Sequence, residues 1–391
     1  MPTPLRVVVT SDNHLGRYYD RLAPRALETR RAWLRAGWEA AVACALDEGA
    51  HLFLQAGDLF DTPEPRNAER VAVAEALARL DAAGIGCYAI GGNHDTPRQR
   101  TDYGGTSPQA VYAGLGRLEL LNGHGRIATR VREVNGWRVA IGGLGWNPAL
   151  PPTADPLADQ DWDAQADLRL LMLHHSIEGH IYPGANEPRL AQATLARFPA
   201  DAFFVGHVHH HARLTLDGRL VVVPGATERM TFGERDETPG FVYLELRPGG
   251  VERLEHRAVA SQPRHETTVR LETLVGDDLA AALLRHIEAV CHPEALVRVK
   301  LHGTVSRDAY HALDLAGARD FGAARCALFD LHADGLTLAD ELLPAVETVR
   351  VAPRDELACC ADELLAATAD PAERDLLLAT REAVLAAYDS E

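Results

Sequence analysis

A chain of 391 residues, 47% hydrophobic and 24% charged, has the length for two or three domains and the composition of a folded globular protein, not of a disordered or fibrous one. No apolar run approaches the length of a membrane-spanning helix. The net charge of −17 argues at first against a polyanionic partner, but it is unevenly placed: His265 to Glu391 holds 24 acids and 11 bases, whereas Arg17 to Arg35 holds six arginines against two acids.

The opening MPTPLRVVVTSD lacks the basic segment, long apolar segment and cleavage site of a signal peptide, and reads as a first strand. The six cysteines are scattered without CxxC spacing, so reduced thiols in a cytoplasmic protein are expected. Glu28 to Glu48 has helical periodicity, HLFLQAGD is a second strand, Asn67 to Ala83 a second helix and IGCYAIGGNHD a third strand. This alternation predicts parallel βαβ units. Hairpins are predicted at Asn135-Gly136, at Asp217-Gly218 and at Pro248 to Gly250. Pro151 to Asp167 is a Pro- and Asp-rich loop.

Near Gln262-Pro263 the composition shifts. The segment up to Val351 reads strand, helix, strand, helix, strand, a small α+β unit, and Arg354 to Tyr388 reads as two helices broken at Asp370-Pro371. The expected organisation is therefore a catalytic domain over 1–262, a cap over 263–352 and a helical tail over 353–391.

Five strand ends carry one kind of residue: DNH (Asp12 to His14), GDLFD (Gly57 to Asp61), GNHD (Gly92 to Asp95), LHH (Leu173 to His175) and GHVH (Gly206 to His209). Ligands of open α/β sheets bind beyond the carboxyl ends of the strands, so the five runs should converge. Asp, Asn and His side chains without thiolate suit manganese, iron or zinc, and so many of them suit two ions bridged by a carboxylate. The glycines fit turns that bring backbone close to the ions.

The order and spacing of TSDNHLG, LFLQAGDLFDTPEP, AIGGNHD, LMLHHS and FFVGHVHH resemble the calcineurin-like metallophosphoesterases, and within them the SbcD-type DNA repair nucleases. The resemblance covers about the first 260 residues and implies a four-layer αββα sandwich of α/β class with a smaller α+β cap and C-terminal helices. It assigns Asp12, His14, Asp58 and His209 to one metal and Asp58, Asn93, His174 and His207 to the other, with two manganese ions favoured over iron or zinc. His175 is the alternative to His174 in the doubled histidine; His210 and His211 are not expected to be ligands. His94 is implied as the group that protonates the leaving alkoxide or stabilises its charge, with Asp95 orienting it. The reaction so implied is metal-assisted, in-line hydrolysis of a phosphodiester.

Three features favour DNA as the substrate. The segment GRYYDRLAPRALETRRAWLR follows the first motif directly, and Arg17, Tyr18, Arg21 and Arg25 are its candidate DNA contacts. GDLFD lacks the continuation found in Ser/Thr phosphatases, and a further unit stands where SbcD-type nucleases carry a cap. Against this, the acidity of the C-terminal third is poor for DNA contact and suits a protein partner. The resemblance implies an SbcC-like ATPase held by the C-terminal helices, a homodimer through helices around Thr62 to Val111, and no membrane association. SbcD relatives carry His or Asp at the end of the GDLFD block, a position that influences the exonuclease reaction; here it is Asp61. Two rival readings are a stand-alone phosphoesterase acting on nucleotides or small diesters, and an inactive scaffold that recruits a repair ATPase.

Overall fold

The computed structural model describes residues 3–99, 101–123, 125–180, 185–274, 278–339 and 353–388. It divides into two compact units, one of Met1–Gly303 with Ala309–Thr337 and one of Thr304–Asp308 with Leu338–Glu391.

In chain order the first unit begins with β1 (Leu5–Thr10), α1 (Pro24–Asp47), β2 (Leu52–Gln55), α2 (Asn67–Ala82), β3 (Gly86–Ala89), α3 (Ala110–Gly114) and β4 (Glu119–Leu120). It continues with β5 (Ala128–Val134), β6 (Trp137–Leu144), β7 (Leu168–His174), β8 (Ser176–Ile177), β9 (Arg189–Leu190), α4 (Gln192–Arg197) and β10 (Ala202–Gly206). The strands β11 (Ala212–Leu216), β12 (Arg219–Val223), β13 (Gly240–Arg247) and β14 (Gly250–Ala258) complete two six-stranded sheets, ordered β14-β13-β1-β2-β3-β4 and β11-β12-β10-β7-β6-β5.

Period-two alternation decides what each sheet face meets. Val7 and Val9 of β1 point between the sheets with Leu170 and Met172 of β7, while Val8 faces Leu34 and Trp38 of α1. Leu171 and Leu173 point the other way, to Trp162 and Phe198. The layers are thus helices, sheet, sheet and an outer cover, an α/β sandwich. That last cover is the short α4 and the loop carrying Trp162 rather than long helices. Helix α1 starts with Pro24 at its first turn and buries Leu27, Leu34, Trp38, Ala41 and Ala45, the spacing of one helical face. The Asn135-Gly136 and Asp217-Gly218 hairpins form as expected, each with both turn residues at positive φ.

The smaller sheet has the order β15-β16-β17, with β15 (Arg264–Arg270), β16 (Leu296–Val305) and β17 (Leu328–Leu338). It is accompanied by α5 (Leu279–Val290), α6 (Arg307–Ala312) and α7 (Leu315–Ala323), so two helices stand where one was expected between the second and third of these strands. The second unit carries α8 (Pro353–Ala367) and α9 (Pro371–Tyr388), which pack on each other across the Asp370-Pro371 break. Residues 340–352, the end of the expected cap, lie outside the described residues. Among the described residues no helix is long and apolar enough to cross a membrane.

Candidate metal centre

The C-terminal ends of β1, β2, β3, β7 and β10 deliver the five motifs to one place, stitched by backbone. Asp12 N–H donates to the Gly57 carbonyl at 3.0 Å, and His14 N–H to the Asp58 carbonyl at 3.0 Å. The His207 N–H donates to the Asp12 carboxylate at 3.0 and 3.1 Å, tying the second sheet to the first. Four of the seven non-glycine residues with positive φ among the described residues are here: Asp12, His14, Asp58 and His207. Strain concentrated in this way is held by the surrounding structure and is typical of a functional site.

Each of four histidines has one ring nitrogen held by an acceptor and the other turned to the centre. His174 Nδ1 meets the Ala56 carbonyl at 2.8 Å, leaving Nε2 at 3.2 Å from Asn93 Oδ1 and 3.4 Å from Asp58 Oδ2. His207 Nε2 lies 2.9 Å from Glu187 Oε2, and its Nδ1 lies 2.9 Å from Asn93 Oδ1. His14 Nδ1 lies 2.9 Å from Asp61 Oδ1, and His209 Nδ1 lies 3.3 Å from Glu234 Oε1. The Nε2 atoms of His14 and His209 face each other at 3.2 Å. A carbonyl or carboxylate on the far nitrogen fixes the tautomer and raises the basicity of the near one, as is usual for metal-ligating histidine.

Candidate ligand atoms of Asp12, His14 and His209 lie within 4.8 Å of one another, as do those of Asp12, Asp58 and His174. The first group joins three of the side chains assigned to one metal; the second draws on both assigned sets. Burial pushes the Asp58 carboxyl up, but the fields of His174, His14 and His94 outweigh it and hold the group far below the usual carboxylate range. For His174 burial opposes charge, yet Asp58 raises its pKa to about 9. Without a cation the two form a buried ion pair, and a divalent ion would take the place of the proton. Two lone pairs facing each other at His14 and His209, beside carboxylates, suit a cation in the same way. The donor set of oxygen and imidazole therefore fits divalent metal.

His175 stays outside this cluster, with its buried Nε2 unpartnered and burial pushing its pKa down to about 3. His211 stacks on His256 at 4.2 Å and 11°, and the His210 ring lies 6.0 Å from His180.

His94 is beside the centre, its ring edge on His14 at 4.6 Å and its side chain 38% exposed. Its backbone N–H donates to Asp58 Oδ1 at 2.8 Å. Burial lowers its pKa. Asp95, expected to orient it, does not. The Asp95 carboxylate accepts from Gly92 N–H at 2.8 Å, from Phe60 N–H at 3.3 Å and from Gln109 Nε2. It shapes the GNHD turn from inside, because the side chain next along a turn points away from its neighbour. The carboxylate near His94 Nδ1, at 3.6 Å, is that of Asp61.

The arginine-rich segment is largely turned inward. Arg17 Nη1 donates to Asp61 at 3.1 Å, and Arg21 pairs with Asp330 through two bonds of 3.0 and 2.6 Å. Arg30 is fully buried against Glu228 at 3.3 Å, and Arg35 pairs with Glu28 and Glu69. Tyr18, 66% exposed, and Arg25, also exposed, are the expected DNA contacts that face solvent with no ion pair among the described residues. Glu187 and Glu234 escaped sequence reasoning altogether, since neither stands in a spaced motif.

These features define a member of a phosphoesterase class, and the comparison with known families agrees. The chain belongs to the calcineurin-like phosphoesterase family, whose model matches residues 5–211. It is similar to the DNA double-strand break repair protein Mre11 of Haloferax volcanii, 31% identical over 300 residues that cover 76% of this chain and 61% of that protein. The Mre11 of Methanosarcina mazei is 24% identical over 315 residues, 78% of this chain and 46% of that protein. That of Thermoplasma acidophilum is 24% identical over 310 residues, 76% and 77% of the two chains. The chain thus spans less than two thirds of the first two of these relatives.

Proposed function

We propose that the chain is a metal-dependent DNA exo/endonuclease acting in DNA end processing and double-strand-break repair. The observation that carries this reading is the set of four histidines, each braced on its far nitrogen and turned towards Asp58, Asn93 or Asp12. The similarity to Mre11 proteins supports DNA as the substrate.

Asp12, His14, Asp58 and His209 would hold one divalent ion, and Asp58, Asn93, His174 and His207 the other. Manganese is the first choice and iron or zinc the alternatives. Bound there, the ions supply Lewis acidity to a water and charge neutralisation to the phosphoryl oxygens. The chain's own residues do the rest. His94, partly exposed at the rim, delivers a proton to the leaving alkoxide, a role worth about 10²–10⁴-fold. Asp61, reaching His14, Arg17 and His94, orients the imidazole in place of Asp95.

The α8–α9 hairpin exposes Leu357, Leu364, Leu376, Leu378 and Val384, which supports an SbcC-like ATPase as its partner. Exposed Val71, Val111 and Leu115 on and beside α2 and α3 support a homodimer there. A cytoplasmic location goes with this role. The inward-turned arginines favour a second reading, a stand-alone phosphoesterase acting on nucleotides or small diesters.

The test is an end-labelled DNA cleavage assay in manganese with wild type and His94→Gln, beside a generic phosphodiester. Shortening of DNA by wild type alone, with metal binding kept in the variant, is expected. Diester hydrolysis without DNA cleavage, also in the presence of an SbcC-like ATPase, would transfer the assignment to the second reading.

A further inference from the structure

We propose that Glu234 is a positioning residue for His209 and that the three-stranded β15–β17 sheet sets it through Phe232. The proposal rests on the metal centre described above.

Glu234 closes the short helical turn Phe232–Glu234. One carboxylate oxygen accepts from Met230 N–H at 2.6 Å, and the other lies 3.1 Å from Thr231 Oγ1 and 3.3 Å from His209 Nδ1. Three contacts thus hold the carboxylate in place, as a brace for an imidazole must be held.

The turn itself is held from the small sheet. The Arg298 guanidinium of β16 lies 4.1 Å from the Phe232 ring centroid and that of Arg264 on β15 lies 5.3 Å away. Arg298 is in turn fixed by Asp330 of β17 at 3.0 Å and Glu266 of β15 at 3.4 Å. Arg235, next after Glu234, pairs with the same Glu266 at 3.3 Å. Phe232 is buried with Leu22, Leu27 and Leu296. All three strands thus grip one turn, and the last residue of that turn braces a metal-ligand candidate. A displacement of the small sheet would move Glu234 and weaken the His209 side of the centre, leaving the His174 side, braced by the Ala56 carbonyl, in place.

The experiment is titration of the metal-free full chain with Mn²⁺, read by calorimetry and by electron paramagnetic resonance, for wild type, Glu234→Ala, Glu234→Gln, Phe232→Leu and Asp236→Ala. Metal-free melting is recorded for each. Outer-shell changes cost about 10–100-fold in metal affinity. The expected result is two Mn²⁺ in wild type and a loss of that size at one site only in Glu234→Ala. Phe232→Leu, which keeps apolar fill but loses the ring between the arginines, should weaken the same site about tenfold on the same principle. Glu234→Gln, which keeps an oxygen for Nδ1, should fall between wild type and Glu234→Ala, and exposed Asp236→Ala should match wild type. Wild-type affinity at both sites in Glu234→Ala overturns the positioning role. Loss in Glu234→Ala with none in Phe232→Leu overturns the link to the small sheet. A wild type that binds no Mn²⁺ overturns the metal centre itself, a different failure.

Discussion

The Nε2 atoms of His14 and His209 face each other at 3.2 Å although each ring's Nδ1 is already engaged by a carboxylate. Two lone pairs so placed repel unless a proton or a metal ion lies between them. Burial opposes charge on His209, but the Glu234 bond and the Asp12 field outweigh it and raise its pKa.

Metal should therefore stabilise the fold. A ligand present at 100 times its Kd adds about 2.7 kcal/mol. Thermal melting in Mn²⁺ against EDTA should show a rise of several degrees, reversed by the chelator. Identical melting curves in both would sink the metal centre.

Gly92→Ala should abolish metal binding without unfolding the sheets. A Cβ there would lie 2.1 Å from Asp58 Oδ1 and 2.5 Å from its backbone nitrogen, closer than any contact permits. Asp58 faces both halves of the site, so activity should fall at least about a hundredfold, as expected when reacting groups are misplaced by an ångström. Wild-type Mn²⁺ stoichiometry in the variant would show that Asp58 is free to shift.

Glu228→Gln should cost about 3–5 kcal/mol in urea unfolding, the usual effect of removing one partner of a buried ion pair. Arg30 and Glu228 are both fully buried, and Arg264 adds a second guanidinium nearby, with its pKa pushed down to about 10 by burial and by Arg30. Without Glu228, Arg30 would lose its carboxylate partner beside a second buried guanidinium. A cost below about 1 kcal/mol would mean that water reaches them.

Stability should decline as pH falls from about 6.5 towards about 4 through the stacked His211–His256 pair. Burial and the neighbouring His211 push the His256 pKa down to about 4, and burial lowers His211. The unfolded chain, with ordinary histidine values, takes up protons first, so this contribution is present above that range and lost below it. His256→Phe, which keeps the stack, should lose less between pH 7.5 and 5 than wild type. Equal losses would assign the pH dependence to other groups.

Much of the fold was legible because its signals are local. The apolar runs in LRVVVTSD and in the strand ending LMLHH, and Asn-Gly and Asp-Gly at the hairpins, specify strands and turns within a few residues. The metal-ligand candidates were legible for the same reason, each standing at the tip of a strand. The Asp95 expectation failed because adjacency in sequence is not adjacency in a turn: Asp95 bends inward to three donors while His94 faces out.

The sequence by itself determined the order of strands and helices, the strand ends and the residue types that stand there, since periodicity and turn chemistry are written along the chain. Only the tertiary structure decided which nitrogen of each histidine faces the centre and which acceptors brace the other. Asp61 reaches His14 across 47 positions, Glu187 reaches His207 across 20 and Glu234 reaches His209 across 25. Only the tertiary structure, too, turned Arg21 and Arg30 to acids more than 190 residues away. Such pairings exist only once the chain has folded, because burial makes an unpaired charge costly and so selects its partner by proximity in space.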